Sequence, residues 1–96
     1  MALYIARIEL TDAGSENYES LHEAMDSVGF SREFLYPDGS WHQLPTGTYV
    51  GVRLDSEIEP IRNSLISIAK RESPGDPLVI VCEIEKWGAY LPNSNS

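Results

Sequence analysis

The sequence contains few basic residues and no long apolar run. Seven Lys and Arg stand against fifteen Asp and Glu, which gives a formal net charge of −8. Because this charge repels polyanions, it argues against broad binding to nucleic acids or anionic membranes and leaves room only for a local basic site. No apolar stretch approaches the roughly 20 residues of a membrane-spanning helix, so we expect no membrane partner.

Cysteine and histidine are also scarce. The one cysteine, Cys82, excludes an internal disulfide, and its place in the run LVIVC favours a buried thiol in a reducing, cytoplasmic compartment over a reactive one. His22 and His42 are the only imidazoles, so no zinc ligand set is present, and we expect neither a metal nor another cofactor. Since His22 belongs to a predicted helix and His42 to a predicted hairpin, neither is expected to be catalytic.

The pattern of apolar residues predicts the elements of the first half of the chain. LYIARIEL alternates as a strand does, and a helix follows from Ser15 to Gly29 with Leu21 and Met25 at helical spacing. FSREFLY, WHQL and TYVGVRL are extended segments, separated by the turn sequences PDGS and PTG. The apolar face of the first strand consists of Tyr4, Ala6, Ile8 and Leu10.

The second half of the chain contains one more helix and one more strand. Ser56 and Glu59 match a capping box, and the helix that it predicts ends at Lys70 and Arg71, whose charge suits a helix C-terminus. LVIVCEIE is the last strand. The order strand, helix, strand, strand, helix, strand predicts an α+β, ferredoxin-like βαββαβ fold, a four-stranded antiparallel sheet with two helices on one face. We expect one domain over residues 1–91 and a flexible tail over residues 92–96.

Two helices cover only one face of such a sheet, so the other face should be open. The predicted core comprises Ile8, Leu21, Met25, Val50, Val52, Ile61, Leu65, Ile68, Ile80 and Ile84. The predicted open face comprises Leu3, Ile5, Tyr49, Val79 and Val81 beside Arg7, Glu9, Arg53, Glu83 and Glu85. An exposed apolar patch usually finds a partner, and we expect a homodimer.

Charged residues on the first strand are candidates for chemistry. Glu9 lies at the end of that strand with Asp12 just beyond it, where carboxylates could act as a general base or hold a metal; a solvated strand end is the simpler interpretation. Arg7 and Arg53 could bind a phosphate on the open face, or they could pair with neighbouring glutamates. Trp41 and Tyr49 could stack on bases, or they could cover the edge of the core.

The segments YIARIE, VGFS and above all DGSWHQLPTGTYV resemble the GhoS family, the small antitoxins of type V toxin–antitoxin systems. The resemblance covers about residues 3–54, and the matching positions are Glu9, Phe30, Ser31, Gly39, Gln43, Leu44 and Tyr49. It implies a ferredoxin-like fold similar to the CRISPR-associated nuclease subunit that dimerises through its sheets. It also implies an endoribonuclease that cleaves the messenger RNA of the toxin.

On that resemblance the expected catalytic residues are Glu9, Arg7 and Arg53, and the expected RNA contacts are Tyr49, Trp41 and Arg32. Single-stranded RNA would then be the partner. The charge of −8 favours a second hypothesis, in which the chain is a non-catalytic, acidic, dimeric module that binds a basic protein, such as an inhibitor encoded by a phage or plasmid. Both hypotheses stay open at this point.

Overall fold

The computed structural model describes residues 2–53 and 57–94. Its elements in chain order are β1 (Ala2–Glu9), α1 (Ser15–Ser27), β2 (Glu33–Leu35), β3 (Trp41–Gln43), β4 (Thr48–Arg53), α2 (Ile58–Glu72) and β5 (Leu78–Ile84). The small α+β class with two helices and antiparallel sheets is therefore confirmed. The capping box expected at the start of α2 involves Ser56, which lies outside the described residues. None of the helices in the described ranges is long and apolar enough to cross a membrane.

The strands form a three-stranded and a two-stranded sheet instead of the predicted four-stranded one. β1 lies between β4 and β5 and is antiparallel to both, while β2 and β3 pair with each other. The segment before β2 touches β4 through one reciprocal pair, in which Ser31 and Val50 exchange two backbone hydrogen bonds of 2.8 Å. Beyond that pair β2 belongs to a separate sheet: the chain reverses at Gly39, and β2 pairs with β3.

The main core lies between the two helices and one face of the three-stranded sheet. Tyr4, Ala6 and Ile8 of β1 are fully buried there, which confirms the predicted phase of this strand. The helices contribute the apolar stripes that their spacing predicts, namely Leu21, Met25, Ile61, Leu65 and Ile68, all of them buried. Burial of large apolar side chains contributes about 1.5–3 kcal/mol each, so these stripes hold both helices on the sheet.

A second, smaller core lies on the opposite face of the sheet. Phe34 and Leu44 of the hairpin region are buried against Val50 of β4. Leu3, Ile5, Ile84 and Leu91 pack around them and are partly buried. The face that we expected to be open is therefore covered at this end by the hairpin and by the segment that follows β5.

The predicted phases of β4 and β5 are wrong. Tyr49 is fully buried and Val79 and Val81 pack on the helical core, whereas Val52 and Ile80 are 47% and 59% exposed on the other side. β5 is apolar at every position but one, and β4 carries apolar side chains on both faces, so alternation does not reveal which side faces the helices. The pairing decides it, because Ile5 lies opposite Val50 on one side and Cys82 on the other. Ile84 lies in the second core, and Cys82 is exposed rather than buried.

The C-terminal segment lies along the hairpin. The carbonyl of Pro92 accepts a hydrogen bond of 3.0 Å from the backbone N–H of Gln43, and Ser94 donates one of the same length to the carbonyl of Trp41. Residues 92–94 of the predicted flexible tail are thus paired with β3, and Asn95 and Ser96 lie outside the described residues.

Candidate functional site

A polar pocket opens where α1, the start of β2, β3 and the C-terminal segment meet. Its volume is about 390 Å³, within the range of ordinary small-ligand sites. We call it the His22 pocket. It is lined by His22, Glu23, Asp26, Phe30, Ser31, Arg32, Glu33, Gln43 and Ser94. Most of these residues carry a polar or charged group, so the pocket suits a polar ligand.

The end of α1 positions the floor of the pocket. Gly29 adopts a φ of +84°, a left-handed conformation that ends the helix, and the Phe30 N–H then returns to the carbonyl of Met25 at 2.9 Å. Phe30 consequently packs over β4 at Gly51, where a Cβ would come within 2.9 Å of the ring. Glycine at position 51 therefore permits the close approach that buries Phe30 beneath the pocket.

His22 is joined to a buried tyrosine. Its Nδ1 atom lies 2.6 Å from the hydroxyl oxygen of Tyr49, which comes from β4 and is fully buried. Burial lowers the pKa of His22, the charge of Arg32 lowers it further, and Glu19 opposes both. Burial raises the pKa of Tyr49 to about 12. At neutral pH the pair is therefore an uncharged imidazole bonded to an uncharged phenol.

Arg32 supplies positive charge at the pocket. Its side chain is exposed, and its charge lowers the pKa of both His22 and Tyr49, which places the guanidinium within electrostatic reach of the pair. The carbonyl of Arg32 accepts a hydrogen bond of 2.7 Å from Leu44, so its backbone is held beside the hairpin. Three carboxylates, those of Glu23, Asp26 and Glu33, line the same pocket and leave it with a net negative charge.

The three predicted catalytic residues are not brought together. Arg7 and Glu9 share the uncovered part of the second sheet face, where they line a shallow cavity with Leu78 and Ile80. Arg53 lies on the helical face instead, because the pairing places it opposite Ala2. Its guanidinium carbon is 4.7 Å from the centre of the Phe30 ring, and it donates hydrogen bonds to the carbonyls of Val28 and Val52. Arg7 donates to the carbonyl of Thr46.

The three residues that were predicted to contact RNA also lie in different places in the structure. Tyr49 is completely buried, so it cannot stack on a base. Trp41 is 45% exposed but lines a separate apolar groove with Trp87. Only Arg32 lies at the His22 pocket.

His42 has a different environment from His22. It donates from Nδ1 to the carbonyl of Leu91 at 3.0 Å, and its ring stacks on Tyr36 with centroids 3.6 Å apart. Its Nε2 lies 2.9 Å from the hydroxyl of Ser40, which in turn donates to Asp38 at 2.5 Å. The hydrogen bonds that Asp38 accepts from Ser40 lower the pKa of the Asp38 carboxyl group. His42 therefore links the hairpin to the C-terminal segment.

Sequence reasoning missed His22 as a site residue. Two features of the sequence could have indicated His22: it directly follows the buried Leu21 on α1, and Arg32 lies nearby in the chain. The pairing with Tyr49 spans 27 residues of sequence and could not be predicted once the phase of β4 was inverted. Within residues 2–53 and 57–94, the structure contains no group of three His, Cys, Asp or Glu side chains able to hold a metal ion.

Three of the seven positions on which the resemblance to the GhoS family rests line this pocket, and two more are bonded to residues that line it. Phe30, Ser31 and Gln43 line it, Tyr49 is bonded to His22, and Leu44 is bonded to the carbonyl of Arg32. Glu9 and Gly39 are not among the lining residues. Comparison with family models, with curated proteins and with solved structures finds no match to this chain.

Proposed function

We propose that this chain is a GhoS-like antitoxin that cleaves single-stranded RNA, the messenger of its toxin, at the His22 pocket. The observation that supports this function is that three of the seven resembling positions line one polar pocket and two more are bonded to residues that line it. Residues that are scattered from 30 to 49 in the sequence meet beside an imidazole and a guanidinium. In RNA cleavage by general base catalysis, an imidazole can act as the base and a guanidinium can stabilise the charge on the phosphate.

We further propose that the fold is a variant of the ferredoxin-like plan. The segment that starts at Ser31 would be its second strand, because Ser31 pairs with the outer edge of β4. β4 and β5 would be the third and fourth strands on either side of β1. β3 and the paired C-terminal segment would then be additions that draw β2 away from the sheet.

In the proposed reaction a ribose 2′-hydroxyl attacks the adjacent phosphorus, and the bond from phosphorus to the 5′-oxygen of the next nucleotide breaks. His22 takes the proton of the 2′-hydroxyl, and its lowered pKa keeps it in the neutral form that a base requires. In this role Nδ1–H donates to the oxygen of Tyr49 and Nε2 accepts the proton. Arg32 neutralises charge on the phosphate, and the leaving oxygen takes a proton from water.

This assignment moves the proposed chemistry away from Glu9, Arg7 and Arg53. Arg53 is held on the helical face by two carbonyls and the Phe30 ring, so it lies apart from the other two. The acidic wall of the His22 pocket implies that few phosphates are bound at once. The affinity for RNA should therefore depend only weakly on salt compared with that of a basic RNA-binding protein.

The decisive experiment is cleavage of a single-stranded RNA by wild-type protein, His22→Gln and Arg32→Ala. Each substitution should lower the rate about a hundredfold, as expected for the loss of a general base or of a charge-stabilising donor. Arg62→Ala is the matched control, because Arg62 is an exposed arginine of α2 whose side chain bonds Asn63. Its rate should equal that of the wild type. Equal, trace-level cleavage by all four proteins would refute the proposal.

We also propose that the protein forms a homodimer through β5. β5 is an outer strand of the three-stranded sheet, and its side chains Leu78 and Ile80 are 62% and 59% exposed. Outer strands with free backbone groups and exposed apolar side chains pair readily with another strand. A second copy of β5, related by a two-fold axis, would present the same edge and the same side chains.

A further inference from the structure

A second, larger cavity lies between the β2–β3 hairpin and the outer edge of β4. Its volume is about 780 Å³ and its lining is mainly apolar. We call it the tryptophan groove, because it is lined by both tryptophans of the chain. Its principal side chains are Leu3, Phe34, Leu35, Trp41, Val52 and Trp87. Leu35, Trp41 and Val52 are each close to half exposed, so the groove presents a continuous apolar surface to solvent.

One wall of the groove is the outer edge of β4, on which Val50 pairs with Ser31 and, among the described residues, no backbone group pairs with Val52. Val50 exchanges both of its backbone hydrogen bonds with Ser31, so its N–H and C=O point away from β1. Backbone groups alternate in direction along an antiparallel strand, and those of Val52 therefore point outward on the same side. Beside Val52, β2 no longer follows β4 and pairs with β3 instead. The carbonyl of Val52 accepts a hydrogen bond from the side chain of Arg53.

A strand edge that has a position without a backbone partner, as at Val52, can bind an extended peptide when it lies beside an apolar groove. The peptide adds a strand through its backbone, and its alternate side chains enter the apolar pockets. We propose that the tryptophan groove binds an extended segment of a basic partner protein, which pairs with β4 at Val52 and places an apolar side chain between Trp41 and Trp87. This binding activity goes beyond RNA cleavage and uses a different surface, although the two cavities share Ser31 and Glu33.

Charge identifies the class of partner. The net charge of −8 favours a basic protein as the occupant of this groove. Among the described residues, Arg53 is the one cation that lines the groove, and its guanidinium contacts the carbonyls of Val28 and Val52 and the Phe30 ring. A polynucleotide would thus find aromatic rings but no available positive charge. A peptide with apolar and basic residues in alternation matches both the apolar groove and the net charge of the protein.

The test uses a synthetic peptide of about eight residues in which valine alternates with lysine, capped at both ends, a length typical of a single strand. Because both tryptophans lie in the groove, their fluorescence reports its occupancy directly. Titration of the full-length protein should give a saturable change in emission. A peptide with the same sequence but with alternate amides methylated should bind about tenfold more weakly or not at all, because it cannot pair with the edge of β4.

Two substitutions test whether the peptide binds at the groove or elsewhere on the surface. Val52→Lys should weaken binding of the peptide about tenfold, since Val52 lies at the centre of the proposed contact. Ile58→Lys is the matched control, because Ile58 is a similarly exposed β-branched residue of α2 that lies outside the groove, and it should bind as the wild type does. Both sites are exposed, so both variants should fold, and circular dichroism verifies this.

Three results would overturn the inference. The first is the absence of a saturable fluorescence change with the wild type, and the second is equal binding by the wild type and Val52→Lys. The third is occupancy of the groove by another ligand, shown either by an equal, Val52-dependent change with oligouridine or by a change with protein concentration alone. RNA cleavage is measured in separate assays, so its presence or absence has no bearing on this result.

Discussion

His22 and Tyr49 form a hydrogen bond of 2.6 Å that connects α1 to β4 beneath a polar pocket. The bond joins two groups that are both uncharged at neutral pH, because burial lowers the pKa of the imidazole and raises that of the phenol. It therefore fixes the orientation of the ring without requiring a buried charge. The stability of the domain and the proposed chemistry depend on the same contact.

Replacing Tyr49 by Phe should destabilise the protein by about 1–3 kcal/mol, the usual cost of leaving a partly buried polar group without its partner. The ring of Tyr49 stays in the core, so no cavity forms. Chemical denaturation of the wild type and the variant measures the difference. Tyr90→Phe is the control, because Tyr90 is fully exposed and its substitution should have no effect. Equal stability of all three proteins would contradict the importance of this bond.

The lowered pKa of His22 predicts a dependence of stability on pH. In the folded state His22 binds a proton less readily than in the unfolded chain, whose imidazole has the ordinary pKa of 6.5. The unfolded state therefore takes up more protons as the pH falls through and below 6.5, and this group then favours unfolding. We expect the free energy of unfolding to decrease over that interval and the decrease to be smaller in His22→Gln. Urea denaturation at a series of pH values measures both, and identical pH profiles would contradict the prediction.

Leu65 and Ile80 test the two sides of the domain. Leu65 is buried between α2 and the sheet, so Leu65→Ala should cost about 2–5 kcal/mol. Ile80 is 59% exposed, so Ile80→Ala should cost less than about 1 kcal/mol. Denaturant unfolding of both variants provides the measurement. A larger loss at Ile80 than at Leu65 would show that β5 faces the other way.

The proposed homodimer predicts a change of mass in Ile80→Lys. A lysine at this exposed position places a charge at the centre of β5, so the variant should be a monomer with nearly unchanged stability. Ile5→Lys is the informative comparison, because Ile5 packs against the second core and its substitution should destabilise the fold as well. Light scattering at several concentrations measures the mass. A monomeric wild type at high concentration would remove the basis for the proposal.

Much of the fold could be predicted from local pattern. In α1 the apolar residues, among them Leu21 and Met25, lie on one side of the helix. In β1 the apolar residues Tyr4, Ala6 and Ile8 alternate with the rest of the strand. Each element thus has one more apolar face, and this pattern predicts which side is buried. β4 and β5 lack such contrast. Their side chains could face either way until the pairing with β1 was known, and this is why Tyr49 was expected on the open face and Ile80 in the core.

The candidate site was predictable only in part. Arg32 was expected to contact RNA, and it lies at the His22 pocket. His22 was expected to have no catalytic role, because it lies on a helix apart from His42 in the hairpin. Its hydrogen bond to Tyr49, 27 positions away, could not be predicted from the sequence. Arg7 and Arg53 were both expected on the open face, yet the strand register places them on opposite faces of the sheet.

The sequence by itself determined the acidic charge, the α+β class, both helices and the buried face of β1, because each follows from composition or from a local period. Only the tertiary structure decided which faces of β4 and β5 are buried, since strand phase depends on pairing between distant segments. It also decided that the hairpin separates from the sheet after Ser31 and covers its second face. That separation creates both the His22 pocket and the tryptophan groove, because each cavity lies where the hairpin meets the rest of the domain.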